Sequence, residues 1–490
     1  MAAPATGKPE GMVAPATGKP EGMVAPATGK PEGMVAPVAE IISAMQEAAP
    51  AGRPVLADTA VAELRALTQV LMTERADAIE ELARFHAIRE RRIRLPESAL
   101  ADWLRDRTVL VTGGTGCIGS TLVAQIARLG PRWLVSVSRG QTAGWPRHPD
   151  ADYHQADVAS RASLDAVFAA VRPDVVFHLA AQRDPGLAER ASHLTVSTNV
   201  LGTRNVVQAC ERHGVAELSY ASSGKALRPY SREVYTAAKR AGEWILAEAA
   251  ARTQVRITAS RFTHVVDNSI VYDRLLGWAR SGVVRLHDWQ TLFYAQSALE
   301  SAELLLTAGL RAQVGGLRVY AIRDLGWPVS LLDLAIGTLM QVGSDSPIYF
   351  SGHDPGYERV PFPGLYDPDT AGEISPLLNA FEAAAAEHDA QLGIDACPVR
   401  FDHGRAPAGL LATVDQICAA TAGPGPVRAA LDKLSWHVLD AALAALPQQV
   451  LARIELLTAP HEGRLSRDHA KMLGMIRQHA GPNGSARLAS

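Results

Sequence analysis

The chain has 490 residues and a mass of 52.1 kDa, and a prior of about 100 to 200 residues per domain allows roughly three domains. Its 48 lysine and arginine residues nearly balance 51 aspartate and glutamate residues, for a net charge of -3, which excludes a strongly basic nucleic-acid-binding surface. No apolar run reaches the ~18 residues of a membrane span, and the first residues lack a secretion signal. We therefore expect a cytoplasmic protein without membrane or nucleic-acid partners.

The amino-terminal part contains three identical copies of APATGKPEGMV at residues 3–35. Two prolines and two glycines in each copy disfavour a helix, so we predict a disordered repeat tail over residues 1–50. Apolar residues then recur at helical spacing over residues 60–92, which predicts amphipathic helices within a helical extension at 51–105. We expect these helices to form a cap or a dimer contact in a homo-oligomer.

From Arg107 onward, strand-like apolar runs alternate with helical runs to about residue 350. This alternation is typical of α/β proteins, and it predicts a Rossmann-type doubly wound parallel sheet with a smaller, interleaved substrate-binding lobe over residues 106–368. Alanine-rich stretches at 377–391 and 427–457 predict a helical carboxyl-terminal extension over residues 369–480. A flexible tail is expected at 481–490.

A glycine turn follows the first predicted strand, in the stretch TVLVTGGTGCIGSTLVAQIARLG. Glycine lets the backbone turn tightly and approach a pyrophosphate, and the next helix directs its amino-terminal N–H groups at that anion. The turn is therefore predicted to bind a dinucleotide through Gly113, Thr115, Gly116, Cys117, Ile118 and Gly119.

Other strand ends supply further candidate cofactor ligands. The second strand ends at Ser138 and Arg139 rather than at an acidic residue, and an arginine there can pair with a 2′-phosphate, so NADP is favoured and NAD stays possible. The residues at the ends of the next two strands, where ligands of such sheets bind, are Asp157, Val158, Ala180 and Ala181. His178, inside the second of these strands, is predicted to be a core residue.

A candidate reacting group stands in SYASSGKALRPYSREVYTAAK, where a strand ending at Ser222 and Ser223 precedes Tyr235 and Lys239. Four residues of separation place Tyr235 and Lys239 on one helix face. The lysine cation and a positive nicotinamide are expected to lower the phenol pKa, so that tyrosinate can take a hydroxyl proton as hydride leaves the same carbon. Either serine can hold the substrate oxygen.

The segments TGGTGCIG, PDVVFHLAA, TNVLGTRNVVQAC, YASSGKA and YTAAK resemble the extended short-chain dehydrogenase/reductases of the nucleotide-sugar epimerase and dehydratase superfamily. SSGKALRP and GWPVSLLDLA are most similar to the CapD-like polysaccharide-biosynthesis branch. The resemblance covers about residues 107–365. The resemblance implies transient oxidation of a sugar carbinol. It implies that Tyr235 is the base, that Lys239 is its electrostatic partner and a ribose ligand, and that Ser222 or Ser223 is the hydroxyl clamp. It also implies that Lys225 is a second base and that Asn199 supports the active-site backbone and contacts the cofactor.

The chain departs from the family pattern at several positions. Gly224 replaces the aspartate that a 4,6-dehydratase uses as its acid, and Asp184 can compensate. His264 and Asp354 replace an asparagine and an arginine that approach the substrate diphosphate, and Arg183 replaces a lysine. The candidate substrate-binding residues are therefore Arg183, Asp184, Lys225, His264 and Asp354.

These residues predict an NAD(P)-dependent epimerase or dehydratase acting on a nucleotide sugar, with epimerisation favoured because Gly224 removes the usual acid. An NADP-dependent dehydrogenase or ketoreductase acting on a non-nucleotide substrate is the alternative, and a non-catalytic dinucleotide sensor is a third reading. The four cysteines show no metal-binding or disulfide spacing, so we expect buried free thiols and no metal.

Overall fold

The computed structural model describes residues 36–140, 145–268, 270–353, 359–404, 409–420 and 423–481. The three repeats, Asp354 and the predicted tail beyond Gly481 lie outside the described residues.

The central part of the chain alternates strands and helices as predicted. Its elements are β1 (Thr108–Thr112), α5 (Cys117–Arg128), β2 (Trp133–Ser138), β3 (Asp152–Gln155), α6 (Arg161–Val171), β4 (Val175–His178), α7 (Pro185–Arg190), α8 (Ser192–Val196), α9 (Gly202–His213), β5 (Glu217–Ala221), α10 (Val234–Arg252) and β6 (Arg256–Ser260), and they follow the amino-terminal helices α1 (Ala36–Ala48), α2 (Asp58–Glu74), α3 (Ala78–Ala87) and α4 (Glu97–Leu104).

The segments of the chain before and after the last parallel strand of the main sheet form a smaller lobe. Its elements are β7 (His264–Val265), α11 (Tyr272–Ser281), β8 (Val284–Leu286), β9 (Leu292–Phe293), β10 (Ala295–Gln296), α12 (Ala298–Leu310), β11 (Leu317–Ile322), β12 (Val329–Ser330), α13 (Leu331–Val342) and β13 (Ile348–Phe350). Of these, β11 belongs to the main sheet, while β7 with β10, β8 with β13 and β9 with β12 form short pairs.

The carboxyl-terminal segment completes the fold. Its elements are α14 (Ala380–Ala383), β14 (Glu387–Asp389), β15 (Ile394–Val399), α15 (Leu410–Ala419), α16 (Pro424–Ala444), α17 (Gln448–Thr458) and α18 (Arg467–Ala480).

The main sheet of the described residues has nine strands in the order β14-β15-β11-β6-β5-β4-β1-β2-β3. The strands from β11 to β3 are parallel, which confirms the predicted doubly wound fold. The strand order reverses between β1 and β4, and ligands of such sheets bind at the carboxyl ends of the strands beside this switch point. The glycine turn lies there.

The carboxyl-terminal segment is not wholly helical, so the prediction of a helix at 377–391 is wrong. Only α14 is helical in that stretch, and β15 pairs antiparallel with β11, from Leu317↔Val399 to Ile322↔Ile394. The pairing covers the edge of β11, whose backbone groups would otherwise lack partners within the sheet.

Helices α1, α2 and α3 pack on the smaller lobe and share a hydrophobic cluster with it. Leu64, Leu71, Leu82 and Phe85 are at most 2% exposed. A Cβ atom on Gly337 of α13 would lie 2.5 Å from the carbonyl oxygen of Ala78 on α3, so the two helices touch through their backbones. The apolar face of residues 60–92 is thus covered within the chain and gives no support to a dimer contact.

The predicted tail at 1–50 is wrong for residues 36–48, which form α1. Val38, Ile42 and Met45 are spaced for one helix face and are at most 2% exposed, so burial of this face stabilises the helix. The homo-oligomer stays a prediction. All four cysteines are free and buried, as predicted. Within the described part of the chain, no helix is long and apolar enough to cross a membrane.

Candidate functional site

The glycine turn joins β1 to α5 at the carboxyl edge of the sheet. Gly113 has a φ of +76°, and a Cβ atom there would lie 2.7 Å from the amide nitrogen of Ala180. A Cβ atom on Gly119 would lie 2.1 Å from the carbonyl oxygen of Gly113, so both positions require glycine. Among the described atoms, a Cβ on Gly116 would meet only that same oxygen, at 3.4 Å. Gly116 therefore leaves its side of the turn open to a ligand.

Helix α5 begins at Cys117 without a side-chain cap. Its first N–H groups have no acceptor within the helix and carry the positive end of the helix dipole. Thr115 and Cys117 are 6% and 5% exposed, and Ile118 packs partly buried beside them. An open glycine turn and an uncapped helix terminus at the switch point fit the pyrophosphate of a nicotinamide dinucleotide.

The residues predicted on the adenosine side lie at the ends of β2 and β3. Arg139 is exposed, and its carbonyl oxygen accepts a hydrogen bond from Gln155 Nε2 at 2.9 Å. The Ser138 hydroxyl donates to the carbonyl oxygen of Gly140 at 2.8 Å. Asp157 is partly exposed, whereas Val158 is buried and contributes its carbonyl oxygen to Asn205.

The loop after β4 is held by Asn199. Its side chain accepts from the amide of Gln182 at 2.8 Å and donates to the carbonyl of Gln182 at 2.9 Å, which anchors the backbone next to Ala180 and Ala181. This contact agrees with the predicted supporting role of Asn199. It is a backbone contact, and nothing in it indicates a contact with the cofactor.

His178 lies in the core, as predicted. The side chain is 1% exposed and lies between the hydroxyls of Thr112, at 2.7 Å, and Thr203, at 3.2 Å. Burial, helped by the Lys239 cation, lowers its pKa to about 3, so it stays neutral.

The structure separates the two candidate serines. Ser223 lies beside Tyr235, which is partly exposed, and its hydroxyl acts to lower the pKa of the Tyr235 phenol. Ser222 points into the protein and donates to Glu243 Oε1 at 2.7 Å. Of the two, Ser223 is therefore the one placed to hold a substrate oxygen beside Tyr235.

Lys239 is 3% exposed. Its ammonium group donates to the carbonyl oxygen of Ala221 at 2.7 Å and lies 4.7 Å from the ring centroid of Tyr220. Burial lowers the pKa of Lys239 to about 7, with the charge of Glu243 acting in the opposite direction.

The expected lowering of the Tyr235 pKa depends on Lys239 together with a positive nicotinamide, and it stays a prediction for the enzyme with its cofactor bound. Burial raises the pKa of Tyr235, the hydrogen bond with Ser223 opposes the rise, and the charge of Glu233 adds to it. The protein groups alone therefore keep the phenol protonated, because desolvation disfavours the phenolate more than the neighbouring dipole stabilises it.

Lys225 forms an ion pair with Glu233. Its Nζ lies 2.9 Å from Oε1 and 3.1 Å from Oε2 of the 1%-exposed Glu233, which also accepts from Arg228 and Thr236. Burial opposes ionisation of Glu233, but Lys225 and Arg228 outweigh it and lower the pKa. An ammonium group paired in this way is a donor rather than a base, which weakens the predicted role of Lys225 as a second base.

The positions that differ from the dehydratase pattern also have structural roles. A Cβ atom on Gly224 would lie 2.8 Å from Leu377 Cδ2 and 3.2 Å from the carbonyl oxygen of Phe262. Asp184 caps helix α7 by accepting from the amide of Leu187 at 3.0 Å. Arg183 is exposed. Burial raises the thiol pKa of Cys117 to about 12, and the charge of Arg183 opposes this rise.

His264 packs in an aromatic group. Its ring is stacked on Phe85 of the amino-terminal extension at 6.4 Å and lies edge-on to Phe293 at 5.1 Å. Nε2 is buried without a hydrogen-bond partner, and burial lowers the pKa to about 4. A neutral ring among aromatic side chains is a poor ligand for a diphosphate. Asp354, predicted beside it, lies outside the described residues.

Sequence reasoning missed a buried charge cluster, defined here as Arg240, Glu243, Arg261 and Glu382, each at most 7% exposed. Glu243 was recognisable, because it lies one helical step beyond Lys239 on the same face of α10. Arg261 follows the end of β6, a position typical of functional residues in such sheets. No sequence signal pointed to Glu382, which comes from the carboxyl-terminal segment.

The chain is similar to known proteins in both sequence and structure. Residues 109–269 match the model of the NAD dependent epimerase/dehydratase family. The chain is 26% identical over 309 residues to the probable polysaccharide biosynthesis protein EpsC of Bacillus subtilis strain 168, covering 59% of this chain and 51% of that protein. It is 27% identical over 288 residues to the capsular polysaccharide biosynthesis protein CapD of Staphylococcus aureus, covering 55% and 47%. The chain thus spans about half the length of these relatives.

The X-ray structure of Pen from Bacillus thuringiensis superposes with a TM-score of 0.51 at 20% identity, covering 60% of this chain and 89% of that chain. This likeness concerns the fold. Together with the family match and the two polysaccharide-biosynthesis relatives, it agrees with the resemblance carried by TGGTGCIG and YTAAK. Residues 109–269 therefore match the NAD dependent epimerase/dehydratase family, and over more than half of its length the chain is similar to polysaccharide-biosynthesis proteins, CapD among them.

Proposed function

We propose that this protein is an NAD(P)-dependent epimerase that transiently oxidises a carbinol of a nucleotide sugar. The observation that supports this proposal is the placement of Ser223 beside Tyr235, whose pKa its hydroxyl acts to lower, at the carboxyl edge of the sheet that carries the glycine turn. A base and a hydroxyl clamp within hydrogen-bond reach of each other can hold one carbinol oxygen between them.

In the proposed reaction, Tyr235 accepts the hydroxyl proton of the substrate while Ser223 donates a hydrogen bond to the same oxygen. Lys239, fixed by the Ala221 carbonyl and the Tyr220 ring, adds positive charge on the helix face of Tyr235 and favours the phenolate. The glycine turn and the first turn of α5 would hold the pyrophosphate of a dinucleotide, which when bound would supply the hydride acceptor. When the ketone is reduced again from its other face, Tyr235 returns the proton to the oxygen.

Epimerisation is favoured over dehydration because the site lacks a free acid at position 224. A carboxylate there would collide with Leu377, since even a Cβ atom comes within 2.8 Å of this side chain. Asp184, the candidate substitute, is engaged as the amino-terminal cap of α7, and Lys225 is paired with Glu233. Epimerisation needs none of these three groups.

The proposal is tested by incubating the purified protein with UDP-, dTDP- and GDP-hexoses and analysing the products by chromatography and mass spectrometry. We expect a product of unchanged mass and altered retention from at least one sugar. A product lighter by one water would contradict epimerisation and assign the acid to a residue other than Gly224.

A second candidate function is a net dehydrogenase or ketoreductase acting on a non-nucleotide substrate. The aromatic surroundings of His264 favour this second function. His264 stands where the family has an asparagine that approaches the diphosphate, and its neutral ring has a buried Nε2 without a hydrogen-bond partner. This enzyme would convert no nucleotide sugar and would change the nicotinamide absorbance in step with substrate consumption. An epimerase, which returns its hydride, leaves that absorbance unchanged at completion.

Arg139 leads us to propose NADP as the cofactor. It is exposed at the end of β2, where a guanidinium group can pair with a 2′-phosphate. We expect Arg139→Ser to raise the Kd for NADP roughly tenfold to a hundredfold and to leave the Kd for NAD unchanged, as measured by calorimetric titration. Arg161→Ser, which removes an exposed arginine at the start of α6, is the control. Tighter binding of NAD than NADP to the unmodified protein would refute this assignment.

A further inference from the structure

The centre of the buried charge cluster is Arg261, whose side chain is fully buried and uses all five of its N–H donors. Two of them bind Glu243, at 2.9 and 2.8 Å, and two bind Glu382, at 2.6 and 2.7 Å. The fifth donates to the carbonyl oxygen of Leu377 at 2.9 Å. One arginine therefore joins a carboxylate of α10 to a carboxylate of the carboxyl-terminal segment through two bidentate contacts, which fix orientation as well as distance.

Arg240 completes the charge balance of the cluster. Its Nη1 lies 3.0 Å from Glu243 Oε2 and 3.4 Å from Glu382 Oε1. Two guanidinium groups thus face two carboxylates in a region closed to water. Burial opposes ionisation of Glu243, but the charges of Arg261 and Arg240 outweigh it and lower its pKa, so the carboxylate stays ionised.

The cluster contacts the proposed reacting centre at two points. Glu243 Oε1 accepts the hydroxyl hydrogen of Ser222 at 2.7 Å, which fixes the strand end directly before Ser223. Glu243 also lies one helical turn from Lys239 and raises its pKa against the effect of burial. The other groups around Lys239 are the Ala221 carbonyl and Tyr220 on β5 and the neutral His178 on β4, so among them Glu243 provides the full negative charge.

Glu382 is itself held rigidly. It forms a capping box with Asn379, whose side chain accepts from the amide of Glu382 at 3.1 Å while Glu382 Oε2 accepts from the amide of Asn379 at 3.2 Å. The Asn379 amide group also donates to the carbonyl oxygen of Leu227, in the loop between Ser223 and Tyr235. The short helix α14 therefore presents Glu382 in one orientation.

We propose that Glu382 is a positioning residue, an inference that rests on the proposed function. Glu382 holds Arg261 so that Glu243 can fix Ser222 and face Lys239. Without the charge of Glu382, two guanidinium groups would compete for Glu243 and draw it from Ser222. The excess positive charge would also disfavour protonation of Lys239. The carboxyl-terminal segment is on this account part of the catalytic unit.

The test compares the unmodified protein with its Glu382→Gln variant, which keeps the shape of the side chain. We expect kcat to fall roughly tenfold to a hundredfold with KM nearly unchanged, and the pH profile of kcat to shift. In lysine side-chain NMR of the labelled protein, the pKa of Lys239 should fall by about one unit or more. This second readout needs no turnover, so it tests the positioning role even if no nucleotide sugar proves to be a substrate.

Asp367→Asn is the matched control, because Asp367 also pairs bidentately with an arginine, Arg453 of α17. It should lower the Tm without changing kcat or the Lys239 pKa. The Arg240→Gln/Glu382→Gln double variant restores one cation facing one carboxylate and should recover the Lys239 pKa and part of kcat, including where the single variant folds poorly. If Glu382→Gln only lowers the Tm, or if the double variant is worse than the single one in both readouts, the positioning role is refuted.

Discussion

The Tyr235→Phe variant is expected to lose about 10²- to 10⁴-fold in kcat with little change in KM, the range typical of removing a general base. The substitution removes only the phenol oxygen, whose pKa the neighbouring Ser223 acts to lower, and keeps the ring. Burial raises the pKa of Tyr235, so we also expect kcat/KM of the unmodified enzyme to rise with pH as the phenol ionises. Steady-state kinetics across the pH range measure both effects.

Tyr230→Phe is the control for this experiment. Tyr230 lies in the same segment, and its hydroxyl donates to Asp432 at 2.6 Å, away from the reacting groups. Its loss should lower the Tm and leave kcat within a few-fold of the unmodified value. A protein that binds dinucleotide and keeps its biological activity with Phe at position 235 would be a sensor rather than an enzyme, contrary to the proposed function.

The Lys239→Met variant is expected to lose turnover and yet to unfold at a higher temperature than the unmodified protein near neutral pH. Burial lowers the pKa of Lys239 to about 7, against about 10.4 in an unfolded chain. Between these values the unfolded state binds more protons, so the stability of the unmodified protein rises with pH. The penalty for the buried lysine, on the order of a few kcal/mol, is therefore fully present below about pH 7 and is lost by about pH 10.

The measurement is the free energy of unfolding of both proteins by denaturant titration at several pH values in this window. The advantage of the Met variant should be largest at the acidic end and should shrink steadily toward the alkaline end. Lys433→Met, which replaces an exposed lysine of α16, should show no such pH dependence. A stability difference that does not vary with pH would mean that the pKa of Lys239 is not lowered in the folded protein.

Several features were determined by the sequence alone, because they depend on local spacing. The glycines at 113, 116 and 119 between an apolar run and an amphipathic run predict the turn between β1 and α5, since only glycine allows the close backbone contacts at 113 and 119. The four-residue separation of Tyr235 and Lys239 likewise places them on one face of a helix wherever that helix packs. The parallel sheet follows from the alternation of strand-like and helix-like runs.

Other features were decided by contacts between residues far apart in the chain. The spacing of Ser222 and Ser223 does not tell which hydroxyl faces Tyr235, and only the position of Glu243 turns Ser222 away. The sequence pattern predicts that Lys225 acts as a base, but in the fold Lys225 forms an ion pair with the buried Glu233.

The amino-terminal and carboxyl-terminal segments depend even more on contacts between residues far apart in the chain. A helical carboxyl-terminal extension is predicted from residue 369 onward, yet residues 394–399 form a strand because the edge of β11 offers hydrogen-bond partners that a helix cannot use. Residues 36–48 are ordered because the smaller lobe buries their apolar face. Glu382 reaches Arg261 across 121 positions of sequence. No local pattern encodes such a contact, because its free energy depends on a buried partner that exists only after the sheet has formed.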